Sequence, residues 1–325
     1  MFKITIWSLM AIALLVRTRS DADLSEAERR AVGGSSTNPD VSTTMTTHFT
    51  AFYLQGQPPM HLPLPSTLVF VCQRRDTTNY LYSSLFDTNA GIPIYSGYII
   101  RRHQGLGIGT YTRCSIPWKT TAGVPGNQGS NAIYSGSRAA DVHRGHLNPC
   151  HINSYNQTYM KVTFIYTNCV PQCGTSFNSG TWMAYEGRIA SYTKHRCANQ
   201  TGGTMYLVTG QSSYRIHVRS NGALVQVPTA TQYYPSSSSH HRLVQPNSLW
   251  TAGCCVYRSG TTGLITYAES IAVIGNNDKN SSCTLTRAVH LTDLEWLLVP
   301  STSPYPADIF PGYPGCRTNS FSAHL

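Results

Sequence analysis

Asp141-Val142-His143-Arg144-Gly145-His146-Leu147-Asn148-Pro149 is the stretch on which the reading of this chain turns. It opens as an extended segment and stops at Asn148-Pro149, because a residue before proline is pushed out of helical geometry. Gly145 permits close backbone approach. His146 carries an imidazole whose ordinary pKa lies close to neutral, so it can accept a proton near pH 7. Downstream, Phe164-Ile165-Tyr166-Thr167-Asn168-Cys169-Val170-Pro171-Gln172 leads to Asn178-Ser179-Gly180-Thr181-Trp182-Met183-Ala184-Tyr185-Glu186. Asn178, Trp182 and Glu186 recur every fourth residue. On an α-helix they form one stripe, with Asn178 and Glu186 about 12 Å apart along the axis.

These stretches resemble the signature of the DNA/RNA non-specific endonuclease family, the ββα-metal nucleases that include endonuclease G. Within it, they look most like the endonuclease-domain-containing-1 branch. The shared elements are Arg-Gly-His, a Thr-Asn-x-x-Pro-Gln block, Asn-x-x-x-Trp and a Glu one turn later. Gln55-Gly56-Gln57-Pro58-Pro59, Val71-Cys72-Gln73 and Ile92-Pro93-Ile94-Tyr95-Ser96-Gly97-Tyr98 sit upstream in the family's order. Val208-Thr209-Gly210 and Leu249-Trp250-Thr251-Ala252-Gly253-Cys254-Cys255 follow downstream, so the likeness spans roughly residues 49–300.

The resemblance implies a metal-dependent hydrolase of phosphodiester bonds in DNA and RNA, indifferent to sequence. His146 is then the general base. Asn178 is the sole direct protein ligand of Mg2+, or of Mn2+ in its place, and the ion keeps most of its waters. Glu186 holds one of those waters. Asn168 supports substrate or structure near the site, and Arg113 is the candidate for the substrate phosphate. Arg144 orients the site, binds phosphate or forms a structural ion pair. Trp182 reads as core. The chain departs from the pattern at His143, where the family has Asp or another polar residue. A missing carboxylate there weakens the anchoring of the ion's water shell, unless Asp141, expected on the same strand face, substitutes for it.

The rest of the chain fits an exported protein. Lys3 precedes an apolar run from Ile4 to Val16, the layout of a signal peptide and too short for a comfortable membrane span. Ten cysteines follow, an even number that reads as a disulfide framework, with sequons at Asn156, Asn199 and Asn280. Lys and Arg number 24 against 14 Asp and Glu, a formal charge of +10 that suits polyanionic partners such as DNA and RNA. No protein partner is indicated, and no membrane span remains after signal removal. The expected division is a signal peptide at 1–20, a polar leader at 21–48 and the nuclease domain at 49–325.

Within that domain, short β-branched and aromatic runs separated by Gly, Pro, Asn and Ser predict strands at Leu68–Cys72, Ile92–Ile100, Val162–Thr167, Met205–Thr209, Ile216–Val218 and Leu264–Ile274. Helices are expected from Asn178 to about Lys194 and around Leu291–Leu298. The fold class is α+β, a ββα-metal nuclease with a central, mostly antiparallel sheet. Three competing readings remain. His143, His146 and Cys150 have spacing open to zinc. Ser236–Ser239 with His240-His241-Arg242 reads as a basic surface loop. The whole chain is alternatively a nuclease-like polyanion-binding protein weakened by His143.

Overall fold

Leu249 and Cys255 belong to one apolar core with Ile271 and Val273, whereas Trp250, Ala252 and Cys254 belong to another with Ala272 and Ile274. Successive strand residues point to opposite faces, so these two strands are covered on both sides. That is why their sequences are nearly continuous apolar runs, unlike those of an antiparallel sheet with one wet face. The computed structural model describes residues 40–74, 79–136, 140–236, 242–280, 282–322 and 325. The expected signal peptide, the leader as far as residue 39, and the basic loop at 237–241 lie outside them.

Fourteen strands are described: β1 Asp40–Ser42, β2 Leu68–Arg74, β3 Tyr80–Asp87, β4 Ile92–Ile100, β5 Val142–His146, β6 Cys169–Cys173, β7 Thr204–Ser212, β8 Tyr214–Val218, β9 Leu224–Pro228, β10 Gln232–Tyr234, β11 Leu243–Gln245, β12 Ser248–Arg258, β13 Ile265–Asn276 and β14 Thr286–Ala288. Eight of them form the central sheet in the order β1-β2-β3-β4-β7-β12-β13-β14, antiparallel at every pairing. The other six make three separate hairpins, β5-β6, β8-β9 and β10-β11. The α-helices are α1 Thr47–Thr50, α2 Arg102–Leu106, α3 Gln157–Val162, α4 Met183–Ser191, α5 Leu291–Leu297 and α6 Gly315–Thr318. The α+β class with a central antiparallel sheet is as expected. The sheet begins ahead of Phe49, because Asp40–Ser42 pair with Phe70–Cys72.

One face of the sheet is covered by Phe49, Leu54, α5 and the segment around Phe310; the other carries Val142, Leu147, Val170, Phe177 and Trp182, from the region that holds the quoted motifs. Neighbouring cysteines on β12 tie both layers to the central strand. Cys254 bonds Cys316 on the first face, and Cys255 bonds Cys197 on the second.

Two local expectations need correction. Val162–Thr167 is not a strand. Asn156 caps α3 by accepting from the Thr158 and Tyr159 amides, and α3 runs through Val162; a tight 3-10 turn follows at Tyr166–Asn168. The cap and the turn override the β-branched run. The helix expected from Asn178 begins earlier and is not one regular helix. Gly174–Trp182 winds in wide π-type turns with a break at Gly180, then α4 is regular, and Tyr192–Gln200 widens again. The stripe Asn178-Trp182-Glu186 is therefore broken between its first and second members. In α5 the expected boundaries hold to a residue.

Candidate active site

Strands β5 and β6 form a hairpin in which His143 faces Gln172, Gly145 faces Val170 and His146 faces Cys169. Gly145 is required by packing. A Cβ there would stand 2.0 Å from the Gln172 side chain, so the Arg-Gly-His and Pro-Gln blocks fit together physically. From Cys173 the chain turns directly into the helical segment, which completes a β-β-α unit packed on the sheet.

This unit lines a cleft of about 370 Å³ whose wall includes Arg113, Arg144, His146, Asn178 and Glu186. The imidazole, the amide and the carboxylate singled out by the sequence thus share one concavity despite the break at Gly180. Tyr111, Cys150, His151, Ser154 and Ser179 also line it. Of these, the sequence offered a signal only for Cys150, through its spacing from His143 and His146; the others carry no spacing tied to the motif. A larger cavity of about 770 Å³, walled by Val142, Cys173, Tyr234 and Lys279 among others, contains none of the expected site residues.

His146 is held by aromatic rings. Its imidazole lies 4.5 Å from the Trp118 ring and 4.8 Å, edge-on, from Phe164. Trp118 is delivered by the neighbouring Lys119, whose N–H donates to the Phe164 carbonyl and whose carbonyl accepts from the Tyr166 N–H. His146 Nε2 is buried with no hydrogen-bond partner among the described residues. Burial, and secondarily the Arg113 guanidinium, pushes the imidazole down to about 3. The ring is therefore neutral at physiological pH. Burial pushes the Glu186 carboxyl up to about 7, against the opposing pull of the Trp182 indole and Arg113. The Trp182 Nε1–H is buried and, among the described residues, meets no acceptor in full hydrogen-bonding geometry.

Two arginines give the cleft its charge. Arg113 sits with its guanidinium 5.6 Å from the Phe164 ring centroid. Arg144 stacks at 5.0 Å over Tyr134 and donates from Nε to the Tyr166 hydroxyl. Among the described residues neither has a carboxylate within ion-pair distance. Unpaired guanidinium groups in a concave wall are suited to phosphate oxygens.

Asn168 is placed differently. It is fully buried and off the cleft wall. Its Oδ1 accepts from the Ser96 hydroxyl and the Asn148 N–H, and its Nδ2 donates to the Asn148 and Thr163 carbonyls. No donor is left for a substrate. Its place is to pin the turn that follows His146. Asp141 and His143 turn their side chains to the same point, the Cα of Gly174. Asp141 lies ahead of β5 in left-handed backbone, φ 49°, and its carboxylate accepts from the Thr175 N–H and hydroxyl. It caps the incoming helix through Thr175.

The donor set fits a hydrated oxygen-seeking cation. Asn178 Nδ2 contacts His143 Nδ1 at 3.0 Å, and Asn178 Oδ1 has no protein donor among the described residues. A single amide oxygen beside a carboxylate suits an ion that keeps its waters. The zinc reading fits poorly, since no three His, Cys, Asp or Glu are grouped to hold a metal among the described residues. Burial also pushes the Cys150 thiol up to about 11, away from the thiolate that zinc requires.

A family model described as DNA/RNA non-specific endonuclease matches residues 68–283, about two thirds of the sequence. The chain belongs to that family. Among solved structures, the EndoG/EndoGI complex, a study of EndoG inhibition, contains a chain that matches at 16% identity. The match covers 75% of this chain and 85% of that one, with a TM-score of 0.47. No curated protein sequence gives a significant match. As a member of the DNA/RNA non-specific endonuclease family, the chain is assigned to the phosphodiester hydrolases that act on nucleic acid, a family typically dependent on Mg2+. No helix among the described residues is long and apolar enough to cross a membrane.

Proposed function

We propose that this protein is an exported endonuclease that hydrolyses the phosphodiester backbone of DNA and RNA without sequence preference. The observation that carries this reading is the convergence of a neutral imidazole, an amide, a carboxylate and two arginines without carboxylate partners in one cleft. Arg113 and Arg144 bind the phosphate and cancel part of its charge. His146 takes a proton from the attacking water as that oxygen bonds to phosphorus and the bond to the leaving oxygen breaks. An imidazole held at about 3 is a weak base. An anionic phosphate that neutralises Arg113 removes one of the causes of that depression and raises the ring's basicity when substrate is in place. Asn178 would hold a Mg2+ or Mn2+ ion, which offsets charge on the phosphate and the leaving oxygen. Glu186 accepts a hydrogen bond from water in the cleft.

Export is supported by the signal-like N-terminus and the two disulfides. Asn199 and Asn280 are exposed and available for glycosylation. The test is plasmid nicking by purified protein with Mg2+. Cleavage is expected near neutral pH, is abolished by chelator, and falls by at least about a hundredfold in His146→Ala. Absence of chelator-sensitive nicking by the wild type defeats the proposal. His143 favours a second reading, because it stands where the family has Asp or another polar residue. In that case the cleft binds nucleic acid in a salt-sensitive manner and leaves it intact.

A further inference from the structure

His143 departs from its family at the position next to Arg-Gly-His, and the structure gives it a definite partner. Its Nδ1 lies 3.0 Å from Asn178 Nδ2 and 3.3 Å from the Ser179 hydroxyl. An amide nitrogen only donates, so Nδ1 is the acceptor and the ring proton sits on Nε2. The surroundings of Nε2 agree. A Cβ on Gly174 would stand 2.6 Å from His143 Nε2 and 2.3 Å from Asp141 Oδ1, so a carboxylate lies on the side of the ring where that proton is favoured. Gly174 lets both groups crowd the same point. The ring is consequently locked between the start of the helical segment and the wall of the cleft.

We propose that His143 is a positioning residue for Asn178: by taking a hydrogen of the side-chain amide on Nδ1, it leaves Oδ1 turned to the cleft as the oxygen ligand for a divalent cation. This rests on the reading of Asn178 given above. An amide can present either end to a site, and an NH2 group turned toward a cation repels it. A fixed acceptor behind the nitrogen removes that ambiguity. His143 thus serves the metal site through orientation, where the family's acidic residue offers a charge.

Mn2+ binding to the full chain, measured by electron paramagnetic resonance and calorimetry without nucleic acid, tests this. His143→Leu keeps the branch point but has no acceptor; it is expected to weaken Mn2+ binding by about tenfold or more. His143→Asn puts Oδ1 one bond beyond Cγ, where Nδ1 was, and is expected to restore affinity to within about threefold of wild type, since hydrogen-bond geometry is kept. Wild-type affinity in folded His143→Leu, or equal weakening in both variants, overturns the proposal. If His143→Leu does not fold, His143→Phe and His143→Asn decide it by the same comparison. Asn178→Ala separates the two levels. If that change leaves Mn2+ binding intact, the reading of Asn178 as ligand fails; if it abolishes binding while His143→Leu does not weaken it, only the positioning role fails.

Discussion

The imidazole of His146 is walled by Trp118 and Phe164, and this placement links its chemistry to stability. Unfolded, the ring titrates near 6.5; folded, near 3. Between those values the unfolded chain binds more protons, so stability rises with pH. The contribution is complete above about 6.5 and is lost progressively as pH falls toward 3, by an amount on the order of a few kcal/mol. Glu186 acts in the opposite sense: its folded value of about 7 exceeds the ordinary 4.5, so its share is complete below about 4.5 and lost as pH rises to 7. Denaturant unfolding of chelator-treated protein across this range should show a smaller acid loss in His146→Asn than in wild type. Parallel curves would mean the buried ring does not govern the acid limb. The arginines give a second prediction. Arg113→Met and Arg144→Met should each reduce the slope of log affinity against log salt by about one, if each guanidinium contacts one phosphate; unchanged slopes would place both outside the footprint.

In the β-β-α unit, the chain's local rules and its site requirements meet at Gly174. A Cβ there is blocked by Asp141 and His143, neither of which is free to move, because one caps Thr175 and the other holds Asn178. Gly174→Ala is expected to destabilise the fold by about 1–3 kcal/mol through overpacking and to weaken divalent-cation binding as well. A variant with unchanged Mn2+ affinity would show that the crowding is relieved without disturbing the site. Sequence foretold the outline of this unit better than its detail. Ile92–Ile100 was readable as a strand to the residue, because both its faces are apolar or small. The strand character of Val142–His146 was partly hidden, since His143, Arg144 and Gly145 present no apolar alternation. Val162–Thr167 misled through β-branched residues that a cap and a turn overrule. Asn178 and Glu186 were identified by a helical spacing that the break at Gly180 violates. They still reach one cleft, because the sheet and hairpin fix both ends of the segment. Arg113, whose neighbours match no motif, is tied to the site by its place on the cleft wall and its contact with Phe164.

Across the whole molecule, β12 is the member to which both layers are fastened. Cys254 and Cys255 are adjacent in sequence but face opposite cores, and their bonds to Cys316 and Cys197 span 62 and 58 residues. Loops of this length give a chain-entropy contribution of about 4 kcal/mol per disulfide. The two bonds act on different faces but join consecutive residues of β12, so their removal should depart from additivity. The paired change Cys254→Ala with Cys316→Ala frees the layer carrying α5 and α6, which is away from the cleft; nicking activity at low temperature should persist while the denaturant midpoint falls. Cys197→Ala with Cys255→Ala frees the end of the helical segment that carries Asn178 and Glu186, so activity and stability should fall together. The check is denaturant unfolding and plasmid nicking on both pairs and on the quadruple variant. Equal loss of activity in the two pairs would show that the sheet transmits strain between its faces, and the cleft could then no longer be treated as a property of one layer.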